Sequence, residues 1–464
     1  MTNLPLRTVL HEDNVVFKKI LIANRGEIAL RIIRACQEMG VKTVAVYSDV
    51  DAQSLHVRCA DERVCIGPAD DALSYRNIPN VLSAAAMTGA DAIHPGYGFL
   101  AENTHFAEVC ELSGVTFIGP ASEHIALLGN KVKARHTMVQ HNIPVIPGSD
   151  GEVRTLGQAV QIARNIGYPV MVKAAAGGGG RGMRVVGREE DLGKAILSAQ
   201  VEARATFHHD GVYLEKYFVD PRHIEIQVLA DAHGHAVHLG ERECSVQRRY
   251  QKLIEEAPSP VVDKGLRNRM GKMALKVVKA VQYRNAGTVE FLLDHKRNFY
   301  FMEVNTRIQV EHPVTEMVTG TDLIKEQIRV AAGLSLSFRQ RDIGFTGHSL
   351  ECRINAECAE TFTPSPGMVP HVHIPGGPGI RVDTALESMG KVNPQYDSMI
   401  AKLIAHGRDR DEAMARARRA LDEFVIEGVK TTIPLHRIIL RHPDFQKGRV
   451  NTGFLDRLLV SRLP

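Results

Sequence analysis

Two stretches of this chain put carboxylates where they could share a cation. Gly287-Thr288-Val289-Glu290-Phe291-Leu292-Leu293-Asp294 and Asn298-Phe299-Tyr300-Phe301-Met302-Glu303-Val304-Asn305 are rich in strand formers. The polar segment Asp294-His295-Lys296-Arg297-Asn298 lies between them and reads as hairpin punctuation. A hairpin centred between Lys296 and Arg297 sets Glu290 opposite Glu303, with Cβ atoms about 5 Å apart on one face. Two bare carboxylates there repel, so the pair invites a cation. If the chain stays extended, Asn305, Arg307, Gln309 and Glu311 fall on the same side. That face then offers metal ligands, a cation, an amide and a further carboxylate. Magnesium held by one or two carboxylates plus substrate phosphates is the usual protein solution. An alternating polar face is ordinarily just solvated. The apolar runs at 291–293 and 299–302 instead predict a sheet covered on both sides, where carboxylates need partners.

A glycine loop is the second chemical signal. Tyr168-Pro169-Val170-Met171-Val172-Lys173 reads as a buried strand, Ala174 to Gly182 contains four consecutive glycines, and Met183-Arg184-Val185-Val186 reads as another strand. Glycines let backbone amides approach a phosphate without side chains intervening. No Gly-Lys-Ser/Thr follows, which excludes a Walker loop. Strand, glycine loop, strand instead describes a flap over a triphosphate. Polyglycine can also be a linker, but linkers are not usually flanked by an apolar strand ending in Lys and by two arginines. Arg248-Arg249-Tyr250-Gln251-Lys252 is a short basic cluster suited to small anions and too short for nucleic acid. His233-x-His235-x-x-His238 has no standard metal spacing and reads as a turn. Cys244 reads as a buried structural thiol.

The elements that must carry these groups follow from pattern and composition. The chain has 464 residues, 44% apolar and 24% charged, with a net charge of +4, as a soluble protein of two or three domains would. No run approaches a membrane span, and the first residues lack a signal-peptide core. Seven cysteines without Cys-x-x-Cys suggest reduced thiols and a cytoplasmic location. Residues 19–23, a helix over 27–39 and residues 41–47 form a βαβ unit, and 90–94 and 116–119 read as later strands of the same sheet. The order predicts a doubly wound parallel N-terminal domain. Asn142 to Gly148 is a Pro/Gly boundary, and a small lid with the glycine loop runs to about Tyr217. A second domain centred on the hairpin follows. Pro364-Ser365-Pro366-Gly367 and Pro375-Gly376-Gly377-Pro378-Gly379 punctuate short strands in it, and 411–426 reads as a helix. The fold class is α/β and α+β.

With these residues in view, the chain resembles the biotin carboxylase subunit of biotin-dependent carboxylases, of the acetyl-CoA carboxylase type, in the ATP-grasp superfamily. The likeness runs from about Lys18 to Leu459. Its carriers are Ile22-Ala23-Asn24-Arg25-Gly26-Glu27-Ile28-Ala29, His94-Pro95-Gly96-Tyr97-Gly98-Phe99-Leu100, Gly177 to Met183, Pro221-Arg222-His223-Ile224-Glu225-Ile226-Gln227 and Asn305 to Met317. The resemblance implies an N-terminal extension over 1–17, a preATP-grasp domain over 18–130, a linker and glycine-flap lid over 131–217, and an ATP-grasp catalytic and C-terminal domain over 218–464. It implies that ATP phosphorylates bicarbonate to carboxyphosphate, whose CO2 passes to N1′ of biotin. Glu290, Glu303 and Asn305 are then expected to hold Mg2+ (or Mn2+). Lys131, Lys173, Gly179 and Gly180 are expected at the ATP phosphates. Glu215, Lys216, Phe218, His223, Gln247, Tyr250 and Leu292 are expected around the nucleotide. Lys252, Arg307, Gln309 and Val310 are expected to seat bicarbonate, with Glu311 as its base. Arg353 is expected to stabilise the biotin enolate, with Tyr97 and Gly98 beside the ureido ring. Such chemistry demands cations and a guanidinium.

Three places depart from the family pattern. Tyr250 stands where His is usual, Ala175 and Ala176 stand where Ser-Gly is usual, and residues 389–397 vary the usual Gly-Tyr-x-Val-Pro-Pro-x-Tyr-Asp. Tyrosine stays neutral near pH 7 where histidine can become a cation, so Tyr250 is expected to weaken ATP binding. No Met-Lys-Met occurs, so biotin is expected on a separate biotin carboxyl carrier protein, with carboxyltransferase subunits and a homodimer as further partners. The alternatives are another ATP-grasp ligase forming an acyl phosphate and a non-catalytic, nucleotide-sensing paralogue.

Overall fold

The first sheet places two loops at the point where ligands bind in open parallel sheets. The computed structural model describes residues 17–174, 183–207 and 210–460. Strands β1 (Lys19–Ile22), β2 (Lys42–Ser48), β3 (Glu62–Gly67), β4 (Ala92–His94) and β5 (Thr116–Phe117) pair in parallel in the order β3-β2-β1-β4-β5. This is the expected doubly wound domain; β3 is the strand the sequence reading missed. Its alternating exposure, with only Ile66 buried, hid it among charged residues. The helix Gly26–Glu38 packs Ile28, Ala29, Ile32, Ile33 and Cys36 against this sheet. Chain order reverses between β1 and β4, and ligands bind outside the carboxyl ends at such a switch point. The loops there are stitched together by Asn24, whose amide donates to the carbonyls of Pro95 and Tyr97 at 2.7 Å each.

A small antiparallel sheet follows, in the order β7-β6-β8, from β6 (Val170–Ala174), β7 (Arg184–Val186) and β8 (Val212–Lys216). The glycine loop between β6 and β7, with Ala175, Ala176, Gly179 and Gly180, lies outside the described residues.

The largest sheet contains β9 (Arg222–Ala230), β10 (Ala236–Arg248), β11 (Gln251–Ala257), β12 (Asn285–Leu293), β13 (Phe299–Asn305) and β14 (His348–Asn355). Beyond β14 come β15 (Gly367–Val369), β16 (Val372–His373), β17 (Ile380–Thr384), β18 (Gly390–Val392), β19 (Met399–Gly407) and β20 (Val425–Ile426). Eight strands join antiparallel in the order β13-β12-β9-β10-β11-β14-β19-β17. One continuous sheet therefore spans from the hairpin to the C-terminal strands. The helix expected over 411–426 runs only from Arg410 to Glu423, because Phe424 turns extended to bury its ring and leads into β20.

In the hairpin, Glu290 does face Glu303. The turn, however, centres on Lys296, since Leu293 pairs with Phe299, and a bulge at Met302 restores the expected pairing at the carboxylates. Val289, Phe291 and Leu293 pack on the helix Lys264–Ala280 through Leu266, Met270 and Val277. The opposite face, expected to be covered too, instead opens onto a cleft. β13 ends at Asn305, and Glu311 caps the helix His312–Thr319, so the extended stretch is shorter than anticipated.

Candidate active site

A cleft of about 1150 Å3 lies between the three sheets, and every expected site residue among the described residues lines it. At one end Phe218 stacks on Tyr300 with ring centroids 4.8 Å apart. Leu292 sits in register between Tyr300 and His223. These apolar faces make a slot for a planar base. Lys216 donates to the carbonyls of Gly167 and Tyr168 at 2.8 and 3.1 Å, which fixes the β8 end of the slot. Buried Gln247 donates to the Cys244 carbonyl.

Further in, cations meet carboxylates. Lys131 pairs with Glu303 at 3.2 Å and Lys173 with Glu215. Glu290 is not bare. Its Oε1 accepts from Lys252, Asn305 and Gln309 at 2.8–2.9 Å, and its Oε2 lies 2.9 Å from His223 Nε2. Burial alone pushes the Glu290 carboxyl up, yet Lys252 and His223 hold it well below the usual range. The His223 imidazole is disfavoured as a cation by burial, but Glu290 raises it.

The centre is a chain of charge. Lys252 donates to Glu290 at 2.9 Å, to Glu311 at 2.6 Å and to Glu225. Arg353 bridges Glu255 at 2.6 Å and Glu311 at 2.8 Å. Burial pushes Glu311 up, but Lys252, Arg353 and Arg242 hold it well below an ordinary carboxylate. Burial takes Glu255 up to about 7. Arg307 donates to Glu102 at 2.9 Å and to Asn305 at 3.1 Å. The arrangement supplies an ionised base, fixed donors for a small oxyanion, and an oxygen cluster beside lysines suited to phosphates.

Several positioning groups escaped the sequence reading. Fully buried Arg242 donates to Glu225, Gln227, Thr315, Thr288 and Gln309, and so turns the Gln309 amide towards Glu290. The alternation His223, Glu225, Gln227 between Ile224, Ile226 and Val228 signalled part of this layer. Glu102 had no local signal, because it meets Arg307 from 205 positions away. Cys244 is fully buried, as expected, and the 233–238 histidines form no metal cluster among the described residues. His233 and His235 instead bond Gly333 and Asp231.

Comparison with known proteins settles the family. Residues 16–125 match the family Biotin carboxylase, N-terminal domain. Residues 130–339 match Carbamoyl-phosphate synthase L chain, ATP binding domain, and 351–457 match Biotin carboxylase C-terminal domain. The chain is 57% identical to Biotin carboxylase 1 of Bacillus subtilis, over 95% of its own length and 98% of the relative's. The chain belongs to the biotin carboxylase family. Its fold is the ATP-grasp fold that the resemblance implied, and its enzyme class is an ATP-dependent biotin carboxylase. The biotin carboxylase of Campylobacter jejuni, solved as a beta-gamma-ATP complex, superposes with a TM-score of 0.94 at 48% identity, covering 96% of this chain and 100% of that one. The biotin carboxylase domain dimer of Hydrogenobacter thermophilus 2-oxoglutarate carboxylase, solved with MgADP and bicarbonate, gives 0.92 at 49%, covering 95% and 97%.

Proposed function

We propose that this chain carboxylates biotin on a carrier protein with ATP and bicarbonate, as the first half-reaction of a larger carboxylase. The observation that carries the reading is the Lys252–Glu311–Arg353 chain, one carboxylate held ionised between two cations at 2.6 and 2.8 Å. Glu311 takes the proton of bicarbonate, which Lys252, Arg307, Gln309 and the Val310 peptide seat. Bicarbonate oxygen then attacks the terminal phosphate of ATP. Lys131 and Lys173 neutralise charge there, and Tyr250 and Gln247 border the nucleotide. Carboxyphosphate splits to CO2 and phosphate, the phosphate takes the N1′ proton and N1′ takes the CO2, while Arg353 stabilises the enolate oxygen of biotin with Tyr97 and Gly98 beside the ring. A guanidinium preorganised at developing charge is an efficient way to lower such a barrier.

The opposed oxygens of Glu290 and Glu303, with Asn305 next along β13, fit a magnesium ion, a hard cation that takes oxygen ligands. When bound, that ion would neutralise phosphate charge.

Support for a larger assembly comes from the relatives: one is described as a domain of 2-oxoglutarate carboxylase and as a dimer. We accordingly assign this chain a homodimeric state, a cytoplasmic location, a biotin carboxyl carrier protein and carboxyltransferase partners. The test is ADP release: it should depend on bicarbonate and rise with biotin. ADP release driven by another carboxylate instead would favour a different ATP-grasp ligase.

A further inference from the structure

Lys402 is wholly buried in β19 and lies outside the cleft wall. A lysine there is costly, since an ammonium removed from water must be matched by partners. Its register explains the partners it finds. Lys402 stands directly between Arg353 of β14 and Asp383 of β17. Its ammonium donates to the Val310 carbonyl at 2.9 Å. It lies 3.1 Å from Glu27 Oε1 and 3.8 Å from Asp383. The same Glu27 oxygen accepts from the Tyr97 hydroxyl. Fully buried Glu351, on β14, adds a further carboxylate to the surroundings.

Segments carrying Val310, Glu27 and Asp383 therefore meet at one ammonium, and Tyr97 joins them through Glu27. Val310 belongs to the loop after β13, where bicarbonate is assigned. Tyr97 belongs to the loop after β4, where biotin is assigned. Glu27 opens the helix Gly26–Glu38 of the first sheet. Lys402 balances buried carboxylates, and replacing it alone by an apolar side chain leaves Glu27 without that cation, a destabilising change. Beyond that charge balance, Lys402 holds the Val310 carbonyl directly and Tyr97 through Glu27, a link between two substrate-facing groups that an apolar residue could not supply.

We propose that Lys402 is a positioning residue that holds Tyr97 and the Val310 peptide at a fixed separation, so that carboxyphosphate formed on one side meets biotin on the other. The inference rests on the biotin carboxylase reading above. Loss of the link lets carboxyphosphate react with water, returning bicarbonate and phosphate, rather than deliver CO2 to N1′ of biotin.

The experiment measures ATP cleaved per carboxybiotin formed, with free biotin and saturating bicarbonate. Lys402→Met should lower carboxybiotin formation by roughly 10²-fold, the scale of a 1 Å misplacement, with a smaller fall in ATP cleavage and little change in the KM for ATP. The ratio of ATP to carboxybiotin should rise accordingly. Tyr97→Phe removes only the hydroxyl that binds Glu27, and should raise the same ratio less, with a modest fall in melting temperature. If Lys402→Met does not fold, Tyr97→Phe decides the matter. A wild-type ratio in a folded variant of either kind overturns the inference. A wild-type enzyme that forms no carboxybiotin overturns both this inference and the reading on which it rests.

Discussion

Glu311 shows why a base must be considered together with the substrate it serves. With Lys252 and Arg353 both bound to it, its pKa lies well below the ordinary range, so it is a poor proton acceptor in the substrate-free site. An arriving bicarbonate competes for the same cations. Cations drawn to that anion would lower Glu311 less, which would make it more basic where the proton must leave. The sign follows for pH. The carboxylate form is required, so the acid limb of kcat/KM should lie below the usual carboxylate range. Arg353→Ser removes one of the lowering charges and should move that limb to higher pH. The same variant should lose biotin carboxylation by roughly 10²–10³-fold, the scale of a lost oxyanion-type contact, while slow bicarbonate-dependent ATP cleavage persists. Equal loss of both activities contradicts the division of labour. Glu303 invites a different test. Its side chain is 35% exposed and, among the described residues, makes one ion pair, at 3.2 Å to Lys131. Surface pairs of this kind contribute about 0–1 kcal/mol. Glu303→Gln should therefore abolish turnover while denaturant midpoints barely move. A large loss of stability would make Glu303 structural rather than a metal ligand.

The β12–β13 hairpin was legible because its pattern is local: two apolar runs, a polar turn, and carboxylates at spacing that can be counted. Glu290 opposite Glu303 emerged correctly even though the turn was centred half a residue away, because the Met302 bulge compensated. Bulges leave no clear trace in composition. The loops of the first sheet were legible as glycine-rich breaks after short apolar strands. By contrast, Arg242, Glu102 and Lys402 act through contacts between segments far apart in the chain, which no periodicity reports. The β10–β11 connection was misjudged in another way. Tyr250 reads from sequence as a missing cation that can still donate one hydrogen bond or pack over the ribose, and its backbone does not enter that reading. Arg248 pairs with Gln251 across a two-residue turn in which Arg249 and Tyr250 have φ of 47° and 68°. Such turns ordinarily take Asn-Gly, and left-handed backbone costs non-glycine residues about 1 kcal/mol or more. Tyr250→Asn should stabilise the protein by up to about 1 kcal/mol, read from urea unfolding. A loss of stability would show that the ring's contacts outweigh the backbone strain. Histidine also tolerates this region, so Tyr250→His should lower the KM for ATP without destabilising the fold.

The cleft exists because segments far apart in the chain are fastened across it. Arg25 reaches Asp51 in a bidentate pair at 2.6 and 2.7 Å, Asp51 accepts from the Tyr75 hydroxyl, and Arg25 covers the Tyr396 ring at 4.1 Å. Tyr396 in turn donates to Ser48 at 2.6 Å. This ties the first sheet to the strands after β14. Burial pushes Asp51 up, but Arg25 and Tyr75 lower it below its ordinary 3.8. A group with a depressed folded pKa contributes stability that is present above its unfolded value and lost as pH falls through the folded one. Asp51→Asn should thus cost about 1–3 kcal/mol near pH 7, the penalty of unsatisfied buried donors, and the difference should shrink as the pH falls below 4. A difference that stays constant into acid would place the cost in packing instead. The most direct measurement of the whole account follows labelled bicarbonate into biotin while ADP is counted. With ATP and magnesium, the wild-type chain should form acid-labile labelled carboxybiotin, with ADP release that requires bicarbonate, and Glu311→Gln should form none. Label that never reaches biotin, or a Glu311→Gln variant that carboxylates at the wild-type rate, would contradict it.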